Sequence, residues 1–222
     1  PFITLIDYFF PENKYKNMSN LIYFDFETTG LNPYHNKIIE YAFIQEPNIV
    51  NEKYSSINEL VNPGQKFNKK ITEITGIHPE ELDSKKNISY HMTKIMNFAN
   101  VDKNNNTIYL VAHNCDSFDR IFLLEAIKKY NKQNPLKCIE YKHLIFIDTL
   151  NLAKKLLPNN YSYSMKSLST YFNIKSGTHR ALSDTICLRQ IYHKLIELLE
   201  TKIDYNKQYI IDNPEVVMDY LY

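Results

Sequence analysis

An apolar run, Leu21–Phe26, stops on two acids, Asp25 and Glu27, within the segment Asp25-Phe26-Glu27-Thr28-Thr29-Gly30. Its aromatic and β-branched content predicts a strand, and residues i and i+2 of a strand point to one face, so the two carboxylates are aimed together. Like charges this close repel unless a cation lies between them, and hard divalent ions such as Mg²⁺ favour carboxylate oxygens and water. An acidic strand end followed by a Thr-Gly turn is the plainer alternative. This segment alone does not choose between them.

The pattern downstream sets the fold class. Lys37–Gln45 and Lys53–Val61 read as further strands, so three sequential strands form a meander that Asn62-Pro63-Gly64 closes as a turn. Ile88–Val101 has apolar residues at helical spacing (Ile88, Met92, Ile95, Met96, Ala99), three asparagines follow at 104–106, and Thr107–Ala112 returns to strand. Ser117 or a neighbour can cap a helix from Phe118 to about Tyr130. Leu144–Ile147 is a last strand, followed by helices over Thr149–Leu157 and Met165–Phe172. The longest helix runs from Arg180 to Glu200, with a stripe of Leu182, Ile186, Leu188, Ile191, Leu195 and Leu198. A meander followed by alternating strands and helices predicts an α/β fold, a mixed β-sheet flanked by α-helices. Met18-Ser19-Asn20 looks like a natural beginning, so residues 1–19 read as an N-terminal extension, 20–200 as one domain and 201–222 as a C-terminal appendage.

Composition narrows the function classes. The formal net charge of the 222 residues is +1, so a polyanion would have to be handled through a local field or bound cations. The four glycines (Gly30, Gly64, Gly76, Gly177) are scattered, which excludes the glycine-rich phosphate loops of ATPases and dehydrogenases. Three cysteines without a CxxC fit a reducing, intracellular setting. The apolar opening Pro1–Phe10 is short, lacks a basic flank and is interrupted by Asp7, so neither a signal peptide nor a membrane span is expected.

Two more clusters stand at predicted strand or helix edges. His113-Asn114-Cys115-Asp116-Ser117-Phe118-Asp119 follows a strand and opens a helix; Asp119 can be a metal ligand or a favourable first-turn charge, with Asp116 its rival or a loop cap. His179-Arg180-Ala181-Leu182-Ser183-Asp184 opens the longest helix, and Asp184 faces only partly away from its apolar stripe. His35, His78, His91, His143 and His193 read as surface histidines.

Taken together, the three clusters resemble the DEDDh branch of the DnaQ-like 3′–5′ exonucleases. Asp25 and Glu27 match its first motif, His113, Asn114, Phe118 and Asp119 its second, and His179 and Asp184 its third. Thr75-Gly76-Ile77 looks like the family's "TGI" segment. The resemblance implies a ribonuclease H-like fold and stepwise removal of nucleoside 5′-monophosphates from the 3′ end of DNA or RNA. It also implies two divalent cations, Mg²⁺ or Mn²⁺, held by Asp25, Glu27, Asp119 and Asp184, with His179 as general base. On the same basis Thr28, Thr29, Gly30 and Leu31 meet the terminal nucleotide, Leu31 wedges against its base, Asn114 lies in the substrate site, and Lys166 and Arg180 are phosphate contacts. A catalytically silent nucleic-acid-binding module of the same fold is the alternative, and it would be favoured by a missing ligand or histidine.

Overall fold

The computed structural model describes residues 20–47, 53–99 and 107–222. The expected extension 1–19 and the asparagines at 104–106 lie outside these residues. The elements follow in the order β1 (Asn20–Thr28), β2 (Ile38–Gln45), β3 (Ser55–Leu60), α1 (Lys69–Thr75), α2 (Pro79–Leu82), α3 (Ile88–Phe98), β4 (Ile108–Ala112) and α4 (Asp119–Gln133). β5 (Leu144–Asp148), α5 (Thr149–Leu156), α6 (Met165–Tyr171), α7 (Ala181–Glu200), α8 (Lys207–Asp212) and α9 (Glu215–Leu221) complete the chain.

The five strands form one mixed sheet in the order β3-β2-β1-β4-β5. The meander strands pair antiparallel, and β1–β4 and β4–β5 pair parallel. The central strand β1 divides its side chains by parity. Ile22, Phe24 and Phe26 enter a core with α3 and α4, whereas Leu21 and Tyr23 enter a second core dominated by α7. Because the period of a strand is two, Asp25 and Glu27 continue the α7 face.

The long helix buries Leu188, Ile191 and Leu195 of its expected stripe, but its buried face is turned from the rest. Ala181, Thr185, Leu188, Tyr192, Leu195 and Leu199 are buried, a run at spacings of three and four, while Leu182, Ile186 and Leu198 are half-buried on its flank. Two histidines read as surface residues are not. His91 is buried with Nδ1 3.3 Å from the Tyr41 hydroxyl, and His193 is half-buried with Nε2 3.1 Å from Glu46. Residues 201–222 form α8 and α9, whose Ile210, Ile211 and Val217 are buried in the same core as α7. No helix among the described residues is long and apolar enough to cross a membrane.

Candidate active site

The first motif leaves the sheet through a bulge between Glu27 and Thr28, with Ile39 as the extra residue of β2. The loop beyond is braced from several sides. Thr28 Oγ1 donates to the Gly30 carbonyl at 2.8 Å, Lys37 N–H donates to Thr29 Oγ1 at 2.9 Å, and Gln65 Nε2 donates to Thr29 Oγ1 at 3.1 Å. A β-carbon on Gly30 would meet the Asn36 side chain at 2.8 Å, so the close approach of that amide requires glycine. Leu31, next along the loop, stands 82 % exposed.

The second motif follows β4. Asn114 adopts a left-handed backbone (φ 58°), and a short 3₁₀ turn over Cys115–Ser117 leads into α4. The expected Ser117 cap is not formed: Phe118 occupies the cap position and makes no side-chain capping bond. Asp148 orders this loop instead. Its Oδ1 accepts the N–H groups of Asn114 and Leu150, both at 2.9 Å, and its Oδ2 accepts the Asp116 N–H at 3.1 Å. Asp116 itself is exposed and pairs with Arg120 at 3.1 Å, which removes it as rival to Asp119. His113 sits with Nδ1 2.9 Å from Thr149 Oγ1, and burial holds its imidazole down at about 4, so it is a neutral structural group. Asp119 is buried and accepts the Phe26 N–H at 3.2 Å, which ties the first turn of α4 to β1 between the two first-motif acids.

The third motif brings α7 to the same place. Asp184 lies in the first turn of α7, and its Oδ1 is buried without a hydrogen-bond partner. Each of Asp25, Glu27 and Asp184 offers a carboxylate oxygen within 4.8 Å of the others. His179, exposed, precedes the helix on a left-handed backbone (φ 56°), an uncommon conformation for a residue with a side chain. Lys166 is exposed on the first turn of α6. Arg180, expected as a phosphate contact, directs Nε and Nη2 onto Glu40.

The electrostatics match a site built for cations. Burial raises Asp25 well above the usual carboxylate range, and the charges of Asp119, Glu27, Asp184 and Glu40 push it the same way. Burial, followed by Asp184, Glu40 and Asp119, lifts Glu27 to about 8. Burial takes Asp119 to about 8 although the Phe26 N–H opposes it, and burial also raises Asp184. Four acids that resist ionising together, with an unpartnered buried oxygen among them, fit a divalent cation bound through Asp25, Glu27, Asp184 and, alongside Asp25, Asp119.

The exonuclease family RNase_T matches the chain over residues 22–192. The chain belongs to this family. As an RNase_T exonuclease it is a nuclease, and its acidic cluster is consistent with metal dependence. It is 33 % identical over 205 residues to the DNA polymerase III PolC-type of Thermotoga petrophila, covering 91 % of this chain and 14 % of that protein. To the DNA polymerase III subunit epsilon of Aquifex aeolicus it is 28 % identical over 193 residues, 86 % of this chain and 87 % of that one. Among solved structures, E. coli exonuclease I in complex with a dA16 oligonucleotide superposes with a TM-score of 0.64 at 18 % identity, over 81 % of this chain and 41 % of that one. That likeness shows the ribonuclease H-like exonuclease fold. The exonuclease domain thus spans about one seventh of the PolC-type polymerases it matches.

Two residues of the site were missed from sequence. Glu40 is an acid inside an apolar strand, and a buried charge always needs a partner, which was the available signal. Asp148 precedes Thr149 at a strand-to-helix junction, the position of a helix cap.

Proposed function

We propose that the chain is a 3′–5′ exonuclease that hydrolyses DNA or RNA to nucleoside 5′-monophosphates with two divalent cations, Mg²⁺ or Mn²⁺, and His179 as general base. The observation that carries this reading is the convergence of Asp25, Glu27 and Asp184 within 4.8 Å beside a histidine held in a left-handed backbone. When bound, the cations supply charge neutralisation at the phosphate and a lowered pKa for the attacking water. Asp25, Glu27, Asp119 and Asp184 hold them. His179 accepts the proton of the attacking water on an imidazole nitrogen.

The chain's remaining groups orient the substrate. The braced backbone of Thr28, Thr29, Gly30 and Leu31 forms a floor for the terminal sugar, and exposed Leu31 wedges against the terminal base. Asn114 borders the same pocket, and Lys166 contacts a phosphate. Arg180 is given to the scaffold through Glu40. A free 3′-hydroxyl fits this floor, whereas a 3′-phosphate adds negative charge beside Asp25 and Glu27. The relatives named as DNA polymerase III chains favour DNA as the substrate.

The test uses end-labelled DNA and RNA of matched sequence, a 3′-phosphorylated copy and a ligated circle, each with Mg²⁺ or Mn²⁺. Stepwise ladders from free 3′ ends are expected, with resistant blocked ends and untouched circles. Rapid cutting of the circle would mean an endonuclease and overturn the reading.

A further inference from the structure

Glu40 is 2 % exposed in the middle of β2 and stands directly opposite Glu27 in the antiparallel register. Carboxylates opposed across a strand pair destabilise a sheet, and a buried carboxylate without partners is costlier still. Glu40 is nevertheless fully engaged. Arg180 reaches it with two prongs, Nη2 donating to Oε1 at 2.8 Å and Nε donating to Oε2 at 3.0 Å. Oε2 also accepts the Ala181 N–H at 2.9 Å. That N–H is the first of α7, a donor that a helix leaves unpaired, and the cap residue Arg180 makes no side-chain capping bond of its own. A carboxylate from a strand 140 residues earlier therefore caps the helix.

The consequence falls on the residue just before. His179 holds a left-handed backbone that costs a side-chain-bearing residue free energy, and such conformations persist only where the surroundings over-determine them. Three of the four bonds on Glu40 come from Arg180, the next residue, and the fourth from Ala181. We propose that Glu40 is a positioning residue for His179, whose backbone N–H also donates to Asp184: it clamps the Arg180-Ala181 segment to the strand paired with the Asp25 and Glu27 strand, and so holds the imidazole over the site. This inference rests on the reading of His179 as general base.

The experiment is a double-mutant cycle on the full chain under single-turnover conditions, with Glu40→Gln, His179→Ala and the pair. Glu40→Gln keeps the size of the side chain and an acceptor for Ala181 but loses the charge that holds the fork. It should lower the rate by about 10–100-fold, the scale of a misplaced reacting group, with KM within about threefold. In the His179→Ala background the same substitution should cost less than about threefold, because the group it positions is gone. Equal losses in both backgrounds would show a purely structural role and overturn the proposal. If His179→Ala alone leaves the rate unchanged, the reading of His179 fails instead, and the cycle separates the two failures. Arg180→Lys, which keeps the charge and loses the fork, provides the same cycle should Glu40→Gln not fold. A rise in KM alone for that variant would make Arg180 a substrate contact and likewise overturn the proposal.

Discussion

Gly177 lies against Asp184 with no room for a side chain: a β-carbon on the glycine would sit 1.8 Å from the Oδ1 of Asp184. The irregular segment before His179 and the first turn of α7 are therefore in contact at the acid itself. Gly177→Ala must move one of them. Turnover is expected to fall by about 10–100-fold, the scale of an ångström's misplacement, and Mn²⁺ binding to weaken, while circular dichroism reports a retained fold. Unchanged turnover and metal affinity would show that the segment yields without cost.

Asp25→Asn and Asp184→Asn should each lower single-turnover cleavage by orders of magnitude, about 10³-fold or more, since each removes a donor from the cluster. Melting temperature in excess chelator should stay level or rise, because each substitution relieves repulsion among buried acids. A large drop in metal-free stability would mean that these carboxylates serve folding and not cation binding.

The raised acids set a pH dependence whose sign can be worked out. Glu27 moves from 4.5 to about 8 through burial and then Asp184, and Asp119 from 3.8 to about 8 through burial. Groups raised in the folded state contribute stability that is present below their unfolded values and lost as pH climbs through the folded ones. The metal-free protein should lose melting temperature between about pH 4 and 8, and added Mg²⁺ should restore more at pH 8 than at pH 6. Cation uptake near pH 7 should release protons, read by calorimetry in buffers of different ionisation enthalpy. A metal-free melting temperature that rises steadily to pH 8 would contradict this account.

His179→Ala is expected to slow hydrolysis by about 10²–10⁴-fold, the usual range for a positioned general base. Metal binding, measured without substrate, should change little, because His179 is not among the three acids that converge within 4.8 Å. Comparable loss of metal affinity would reassign His179 as a ligand.

Away from the site, Glu46 gives the opposite pH signature. Burial alone would raise it, but hydrogen bonds and charge from His193 and Arg189 outweigh burial and hold it at about 2. Its contribution is present above the unfolded value of 4.5 and is lost as pH falls towards 2, up to about 3 kcal/mol. Glu46→Gln should therefore lower stability at neutral pH and flatten the acid limb of the melting curve, leaving saturated turnover unchanged. A variant as stable as its parent would show that the Arg189 and His193 bonds compensate only their own desolvation.

What could be read beforehand follows from how far a residue's partners lie along the chain. Period-two geometry aimed Asp25 and Glu27 at one face and helix starts marked Asp119 and Asp184, but each local sign also fitted a plain acid, and only the resemblance of the three clusters grouped them. Glu40, His91 and His193 were not legible. Each is held by a partner distant in sequence, Arg180, Tyr41 and Glu46, and pattern reading sees only neighbours. The expected stripe of α7 was half right: Leu188, Ile191 and Leu195 are buried, whereas Leu182, Ile186 and Leu198 pack on its flank. Whether residues 201–222 would join that core also had no local sign.

The bulged residue Ile39 lies between Ile38, which faces Thr28, and Glu40, which faces Glu27, and it is itself buried with Ile77 and Leu82. This sets limits on how such a gene can change length. Codons gained or lost in the exposed bend around Tyr34 leave the pairing of β1 with β2 in place and disturb only the loop that Asn36 and Lys37 brace. One codon lost at Ile39 would empty a seat in the small cluster beneath the Thr75-Gly76-Ile77 turn and remove the bulge, joining Ile38 and Glu40 in an unbroken strand. One codon gained between Glu40 and Tyr41 would do the greater harm: with Tyr41 still opposite Phe26, Glu40 would leave the face of α7 and Arg180 would lose its partner.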